Sequence, residues 1–178
     1  IDPLHRAAFE AAREILTAER EFARLERIYR RRFEVKKDED ERVAELRAIA
    51  DEAHQWGLRV AAHAHGAAGI NAAIRAGIDT IEHVSLLDDE SIRLAKARKR
   101  PVWFSMDIKN TDYTQAEGLK NGELPENIRK DREIGQVQRD NFRKAHQAGV
   151  RMVFGSDAGV MPHAMVPQQF AVMVQYGM

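Results

Sequence analysis

His63, His83 and Asp157 are the residues whose types and spacing could carry chemistry. His63 falls at the end of LRVAAHA (58–64), His83 at the end of IDTIEHV (78–84), and Asp157 follows VRMVF (150–154) in FGSDAG. A glycine that can close a helix precedes each run: Gly57, Gly77 and Gly149. Both histidines come six residues after their glycine, and the aspartate eight after its own. If the runs are parallel strands, this recurrence brings the three side chains to one rim, where βα folds build their sites. Two imidazoles and a carboxylate suit a borderline ion such as zinc. The competing reading makes each of them a strand-end residue bonded to loop backbone; the ordered recurrence of three leaves the two readings evenly balanced. His65 shares a strand face with His63, because side chains two apart point the same way. It is a candidate for supporting the site or contacting substrate, and equally for tethering a loop.

The elements that must position these residues alternate along the chain. Residues 41–57 read as an amphipathic helix with Val43, Leu46, Ile49, Ala53 and Trp56 inward and Gly57 as its C-terminal cap. Strand 58–64, helix 66–77, strand 78–84 and helix 87–99 follow, the last capped by Asp88 or Asp89. Then come strand 101–106, a polar connection from about 107 to 128, helix 128–149, strand 150–154 and a final helix from 166. Helices and strands in alternation with short links predict βα units on a parallel sheet, and the apolar, β-branched strands suit a sheet covered on both faces. Residues 1 to about 35 read as one helix with Ile15, Phe22, Leu25 and Tyr29 on a stripe flanked by Phe9, Leu16 and Ile28. The expected organisation is a helical segment at 1–40 followed by βα units at 41–178.

Composition narrows the function. The 178 residues carry 28 basic and 28 acidic side chains, a formal charge of zero, which argues against a nucleic-acid partner. Hydrophobic residues at 44% and charged residues at 31% describe a globular chain. With no cysteine, a metal site must use His, Asp, Glu or a modified Lys. No apolar run approaches the roughly 18 residues of a membrane span. The segment from Asp2 onward is charged, so no signal peptide is expected and the cytoplasm is the expected compartment.

Three strings carry a family resemblance. ELRAIADEAHQWGLRVAAHAHGAAGINAAIRAGIDTIEHVSLLDDE, FRKAHQAGVRMVFGSDAGVMPHA and FAVMVQYGM together resemble the amidohydrolase superfamily, most closely its imidazolonepropionase-like and Xaa-Pro dipeptidase-like branch, from about residue 41 to the end. The resemblance implies a (β/α)8 TIM-type barrel with one or two divalent metals at its rim. His63 would match the fifth-strand ligand, His83 the sixth-strand ligand, and Asp157 the eighth-strand acid that moves a proton from water to the leaving nitrogen. His163, in GVMPHA, resembles a position at the substrate mouth. Lys36 is a further candidate ligand, because the family's fourth strand often carries a carboxylated lysine; a charged turn is the simpler reading of FEVKKDEDE. The family's upstream His-x-His pair has no counterpart here.

The expected fold is therefore α/β: a partial barrel, strands five to eight, behind a helical N-terminal segment. The expected activity is metal-dependent hydrolysis of C–N bonds in a small amide or dipeptide-like substrate, with at most one ion, zinc by preference. The alternative is an inactive half-barrel, natural or engineered, with a structural or partner-binding role. An open half-barrel leaves an edge strand and an apolar face uncovered, so homo-oligomerisation is expected in either case.

Overall fold

Four strands run parallel in one sheet in the order of the chain: β1 (Ala61–Gly66), β2 (Thr80–Leu86), β3 (Trp103–Ser105) and β4 (Met152–Val153). This is a computed structural model, and it describes residues 6–18, 20, 21, 23, 24, 27–29 and 38–178. Helices α1 (Arg6–Ala18) and α2 (Glu39–Gln55) precede the sheet. Then α3 (Ala67–Ala76) follows β1, α4 (Asp89–Ala97) follows β2, α5 (Asn110–Glu117) and α6 (Pro125–Gln147) follow β3, and α7 (Gln168–Gln175) follows β4. The expected α/β class with parallel strands is observed. No helix among the described residues is long and apolar enough to cross a membrane.

The chain divides into two compact units, one of residues 1–60 with 75–78 and one of 61–74 with 79–178. In the first, the single helix predicted over 1–35 stops at Ala18. Arg20 adopts a left-handed φ of 56°, the Arg20 N–H reaches the Thr17 carbonyl and the Glu21 N–H reaches that of Leu16. This is a Schellman closure with arginine where glycine is usual, so no stop signal is legible in the residue types. Phe9, Leu16 and Tyr29 are buried, with Ile28, Ala48 and Ile49 packed against them, and Phe9 meets Tyr29 edge to face at 5.2 Å. The buried face therefore centres one position beyond the predicted stripe, and Ile15 is exposed. Phe22 and Leu25 lie outside the described residues. Burial, with the charge of Glu52, pushes the Tyr29 hydroxyl up to about 12. Glu52 itself is buried and accepts from Arg13 (3.0 Å) and Thr17 (2.9 Å). Trp56, expected inward on α2, is instead exposed, with the Arg20 guanidinium 5.2 Å above its ring.

The second unit has its core on Ile70, Ile74, Ile81, Val84, Phe104, Met106, Ile108 and Phe142, each at most 2% exposed. Here α6 packs on β2, and α5 packs on α6. The connection 107–128, read as polar loop, contains α5. Its polar helix is held from α6 rather than by an apolar stripe. Gln115 donates to Asp131 at 2.8 Å, Arg139 pairs with Asp112, and Thr111 sits so close to Gly135 that a Cβ there would collide with its methyl group. Pairing of this kind leaves no periodic hydrophobic signal in sequence.

Of the two candidate caps for α4, Asp88 is the one used. Its carboxylate accepts from the Ser91 N–H at 2.8 Å, the Ser91 hydroxyl returns a bond to the Asp88 N–H, and Ser91 also donates to Asn71 at 2.7 Å. The Ser91 backbone N–H holds the Asp88 carboxyl below its ordinary value. The folded state therefore binds this proton less readily than the unfolded chain. The resulting stability is present above the unfolded pKa of 3.8 and is lost as pH falls through the lower folded value. Asp88→Ala should lower stability by about 1 kcal/mol at neutral pH. Asp88→Asn should keep most of the cap and show a smaller acid-induced loss than wild type. Urea midpoints at neutral and acidic pH check both, and an unchanged acid slope in Asp88→Asn contradicts the assignment.

Candidate metal centre

Each of the four strands has a side chain of a type that can bind metal at or just beyond its carboxyl end. β1 brings His63 and His65, β2 brings His83, and Asp107 and Asp157 follow β3 and β4. One donor atom from each of His63, His65 and His83 lies within 4.8 Å of the others, and the same holds for His83, Asp107 and Asp157. His83 belongs to both groups. The ring centroids of His63 and His65 are 4.7 Å apart, those of His63 and His83 4.3 Å, and those of His65 and His83 4.5 Å with the planes nearly parallel.

Regular strands would not produce this cluster. The parallel register pairs His63 with Glu82 and Ala64 with His83, so an unbroken pleat would turn His83 to the face opposite His63. The register breaks at this point. Ala64 pairs with His83 but Gly66 pairs with Leu86, so two steps along β1 match three along β2. This bulge carries left-handed φ angles of 71° at His83 and 51° at Val84, and it brings the His83 ring beside the other two. Bulges re-aim side chains in this way, and a β-branched residue at positive φ is a costly conformation. Side chains of α6 meet the backbone that the bulge displaces. Asn141 donates to the Ser85 carbonyl at 2.8 Å, and Gln138, 5% exposed, donates to the His83 carbonyl at 3.4 Å. Asp157 is also left-handed, with φ 48°. Gly155 passes so near Ser105 that a Cβ there would meet the hydroxyl and force the Ser105 side chain to shift.

Asp107 was missed in the sequence. The glycine-to-donor spacing that marks the other three strand ends has no counterpart before β3, where Lys99 and Arg100 stand in place of a closing glycine. Its signal was a carboxylate directly after the run PVWFSM (101–106). The side chain is nearly buried, accepts from His83 Nδ1 at 2.9 Å through Oδ1 and takes the Asn110 amide on Oδ2. The hydrogen bond from Asp107 raises the His83 pKa against the opposing effect of burial. Burial, then the charges of His83 and His63, lowers that of His65, whose Nδ1 shares a 2.9 Å hydrogen bond with Ser85 Oγ.

Two adjoining cavities of about 340 Å³ each open over the cluster. Both are lined by His63, His83, Asp107 and Asp157; one adds Glu82 and Ser105, the other His65, Ser85 and Asn110. The fold thus brings together His63, His65, His83 and Asp157. His163 begins a short 3-10 turn (His163–Met165), is exposed, and lines neither cavity. Lys36 lies outside the described residues. Imidazole and carboxylate donors at this spacing, several already oriented by second partners, are suited to a divalent ion.

A model of the amidohydrolase family matches residues 8–178. The chain belongs to the amidohydrolase family. An ochratoxinase from Aspergillus niger is 32% identical over 136 residues, covering 72% of this chain and 26% of the relative. The crystal structure of a Xaa-Pro dipeptidase with bound methionine matches with a TM-score of 0.68 and 35% identity, over 76% of this chain and 33% of that one. A prolidase complexed with N-methylphosphonate-L-proline matches with a TM-score of 0.68 and 30% identity, over 80% of this chain and 33% of the other. The amidohydrolase chain described here thus spans about a quarter to a third of these relatives. Its fold is a partial (β/α)8 barrel of the amidohydrolase type behind a helical N-terminal segment.

The bulge should be sensitive to its clamp. Asn141→Leu leaves the Ser85 carbonyl without this donor inside the packed α6–β2 contact, and should lower stability by about 1–3 kcal/mol. It should also shift the His83 ring resonances in an NMR spectrum more than those of His146. Unchanged His83 resonances with unchanged stability would show that the bulge holds without α6.

Proposed function

We propose that this chain is part of a metal-dependent amidohydrolase that cleaves C–N bonds in small amide or dipeptide-like substrates. The observation that carries the reading is the convergence of His63, His65, His83, Asp107 and Asp157 on one cavity at the strand ends, in two triplets that share His83 and whose donor atoms lie within 4.8 Å of one another. Kinship with an ochratoxinase, a Xaa-Pro dipeptidase and a prolidase supports the reaction class. In this reading residues 41–178 supply barrel strands five to eight, and His63 and His83 hold the ion. Zinc is the ion favoured by the nitrogen-rich donor set.

A zinc ion held there would supply a Lewis acid for the scissile carbonyl and lower the pKa of water. Asp157, exposed at the rim beside His83, takes the proton from the attacking water and passes it to the leaving nitrogen. Asp107 fixes the His83 ring through Nδ1. Glu82 and Ser105 line the adjoining cavity and supply polar contacts for the substrate.

The test is amine release from a panel of acyl-prolines, dipeptides and aryl amides by zinc-loaded protein. The expected result is turnover abolished by a chelator and restored by zinc, with Asp157→Asn lowering kcat by about 10²–10⁴. No metal-dependent cleavage across the panel overturns the proposal, and stoichiometric zinc without turnover favours the structural or partner-binding reading.

We also propose self-association through the sheet edges. Among the described residues β1 and β4 each pair on one side only, and Val153, Val160 and Phe170 are exposed at or after β4. Light scattering should give a dimer or larger assembly, and a monodisperse monomer removes this proposal.

A further inference from the structure

The second cavity extends beyond the histidine and aspartate cluster. Thr111, Thr114, Asp131, Ile134, Gln138 and Val160 also line it, and the reaction proposed above uses none of them. We propose that this extension is a subsite for a long, positively charged group of the substrate, with Asp131 as the residue that selects it. The inference rests on the amidohydrolase reading and narrows its substrate class to amides or dipeptides that carry a lysine-like side chain.

Three observations carry it. The first is length. Asp131, Ile134 and Gln138 follow one another on α6 at steps of three and four, so they form one stripe along the cavity. Gln138 stands at the cluster end, where its amide donates to the His83 carbonyl at 3.4 Å. Asp131 lies two turns earlier on the helix, roughly 10 Å along its axis. A hydrogen bond to the carboxylate takes up part of that span and leaves about 7 Å, the reach of a lysine side chain from the amide it flanks.

The second is the wall between the two ends. Ile134 and Val160 line it with aliphatic side chains. A methylene stem lies against such surface while its charged head reaches a polar partner.

Asp131 itself supplies the third. It is a half-buried carboxylate that accepts from Gln115 Nε2 at 2.8 Å and from Thr111 Oγ1 at 3.3 Å, both neutral donors. Among the described residues no cation pairs with it, and Arg139, whose charge it feels, is paired with Asp112. Burial pushes its carboxyl above the ordinary value, against the bonds from Gln115 and Thr111. A carboxylate has about four acceptor positions, so these two bonds leave room for more. Gln115 is anchored in turn, donating to the Ile128 carbonyl at 2.9 Å and accepting from Arg132 at 2.9 Å, so a side chain that does not line the cavity orients the carboxylate. An ammonium arriving here meets a fixed, partly desolvated acceptor, where charge-assisted bonds are strong.

The experiment compares L-lysine with L-norleucine, which lacks the ammonium, as ligands of the whole chain at neutral pH. Affinities are read from NMR titrations that follow the Ile134 methyl groups. Lysine should bind about tenfold or more tighter than norleucine and shift those resonances. Asp131→Asn removes the charge and keeps an acceptor for Gln115; it should bring the lysine-to-norleucine ratio below about threefold. A merely structural role for Asp131 would weaken both ligands alike and leave the ratio unchanged. A wild-type ratio below about threefold overturns the proposal, and this arm stands even if the variant does not fold. A ratio that survives in Asp131→Asn also overturns it and assigns the cation to Asp107 or Asp157. With zinc-loaded protein, alanyl-lysine should be cleaved with a higher kcat/KM than alanyl-norleucine by a similar factor, and cleavage of both without preference overturns the subsite. A chain that shows the binding preference but cleaves neither dipeptide overturns the functional reading alone.

Discussion

The bulge in β2 is the constraint on which the site depends. Strand side chains alternate faces, and the register of β1 against β2 places Glu82, not His83, beside His63. One extra residue on β2, with left-handed φ at His83 and Val84, brings the third imidazole to the other two. Two successive residues in that region cost on the order of 1–2 kcal/mol each. Surrounding structure fixes them in place: the Val84 side chain has no exposed surface, and the amides of Gln138 and Asn141 meet the flanking carbonyls. Three of the four described non-glycine residues at positive φ are His83, Val84 and Asp157. Strain concentrated at one rim is what a functional site displays when packing over-determines an unfavourable backbone.

The electrostatics of the cluster divides its members. Asp107 sits close enough to favour the protonated form of His83, while burial and the neighbouring rings push His65 toward the neutral form. A metal ligand must offer a lone pair, and a neutral imidazole with one nitrogen tied elsewhere offers one in a fixed direction. The hydrogen bonds that Nδ1 of His65 shares with Ser85 Oγ and Nδ1 of His83 makes to Asp107 Oδ1 do that tying. Asn110 links the two carboxylates, donating to Asp107 and reaching Asp157 at 3.5 Å, so the start of α5 belongs to the site as much as the strands do. All of these groups lie within the unit formed by residues 61–74 and 79–178. The helical segment before it is nonetheless part of the family match, which begins at residue 8.

Much of the layout could be read along the chain because it rests on local rules. Gly57, Gly77 and Gly149 take the positive φ of helix ends, at 71°, 98° and 77°. They mark where helices stop and strands begin because that conformation is open to glycine without strain. Asp88 caps α4 through a bond to a backbone group three residues on, which sequence distance alone makes available. The strands are short apolar runs, and their parallel order follows from the helices between them. Where a stop depended on arginine, as at Arg20, or a helix on partners in another helix, as in α5, that reading failed.

The sequence by itself determined the βα alternation, the family, and the arrival of His63, His83 and Asp157 at one end of a parallel sheet, because helix caps and strand periods are set by neighbours in the chain. Only the tertiary structure decided which face His83 takes, that His65 joins it, and that Asp107 orients it. Those outcomes depend on a register offset between two strands and on amides from α6 more than fifty residues away. Such an offset reverses the side-chain face without changing composition or spacing, so nothing local in the sequence encodes it.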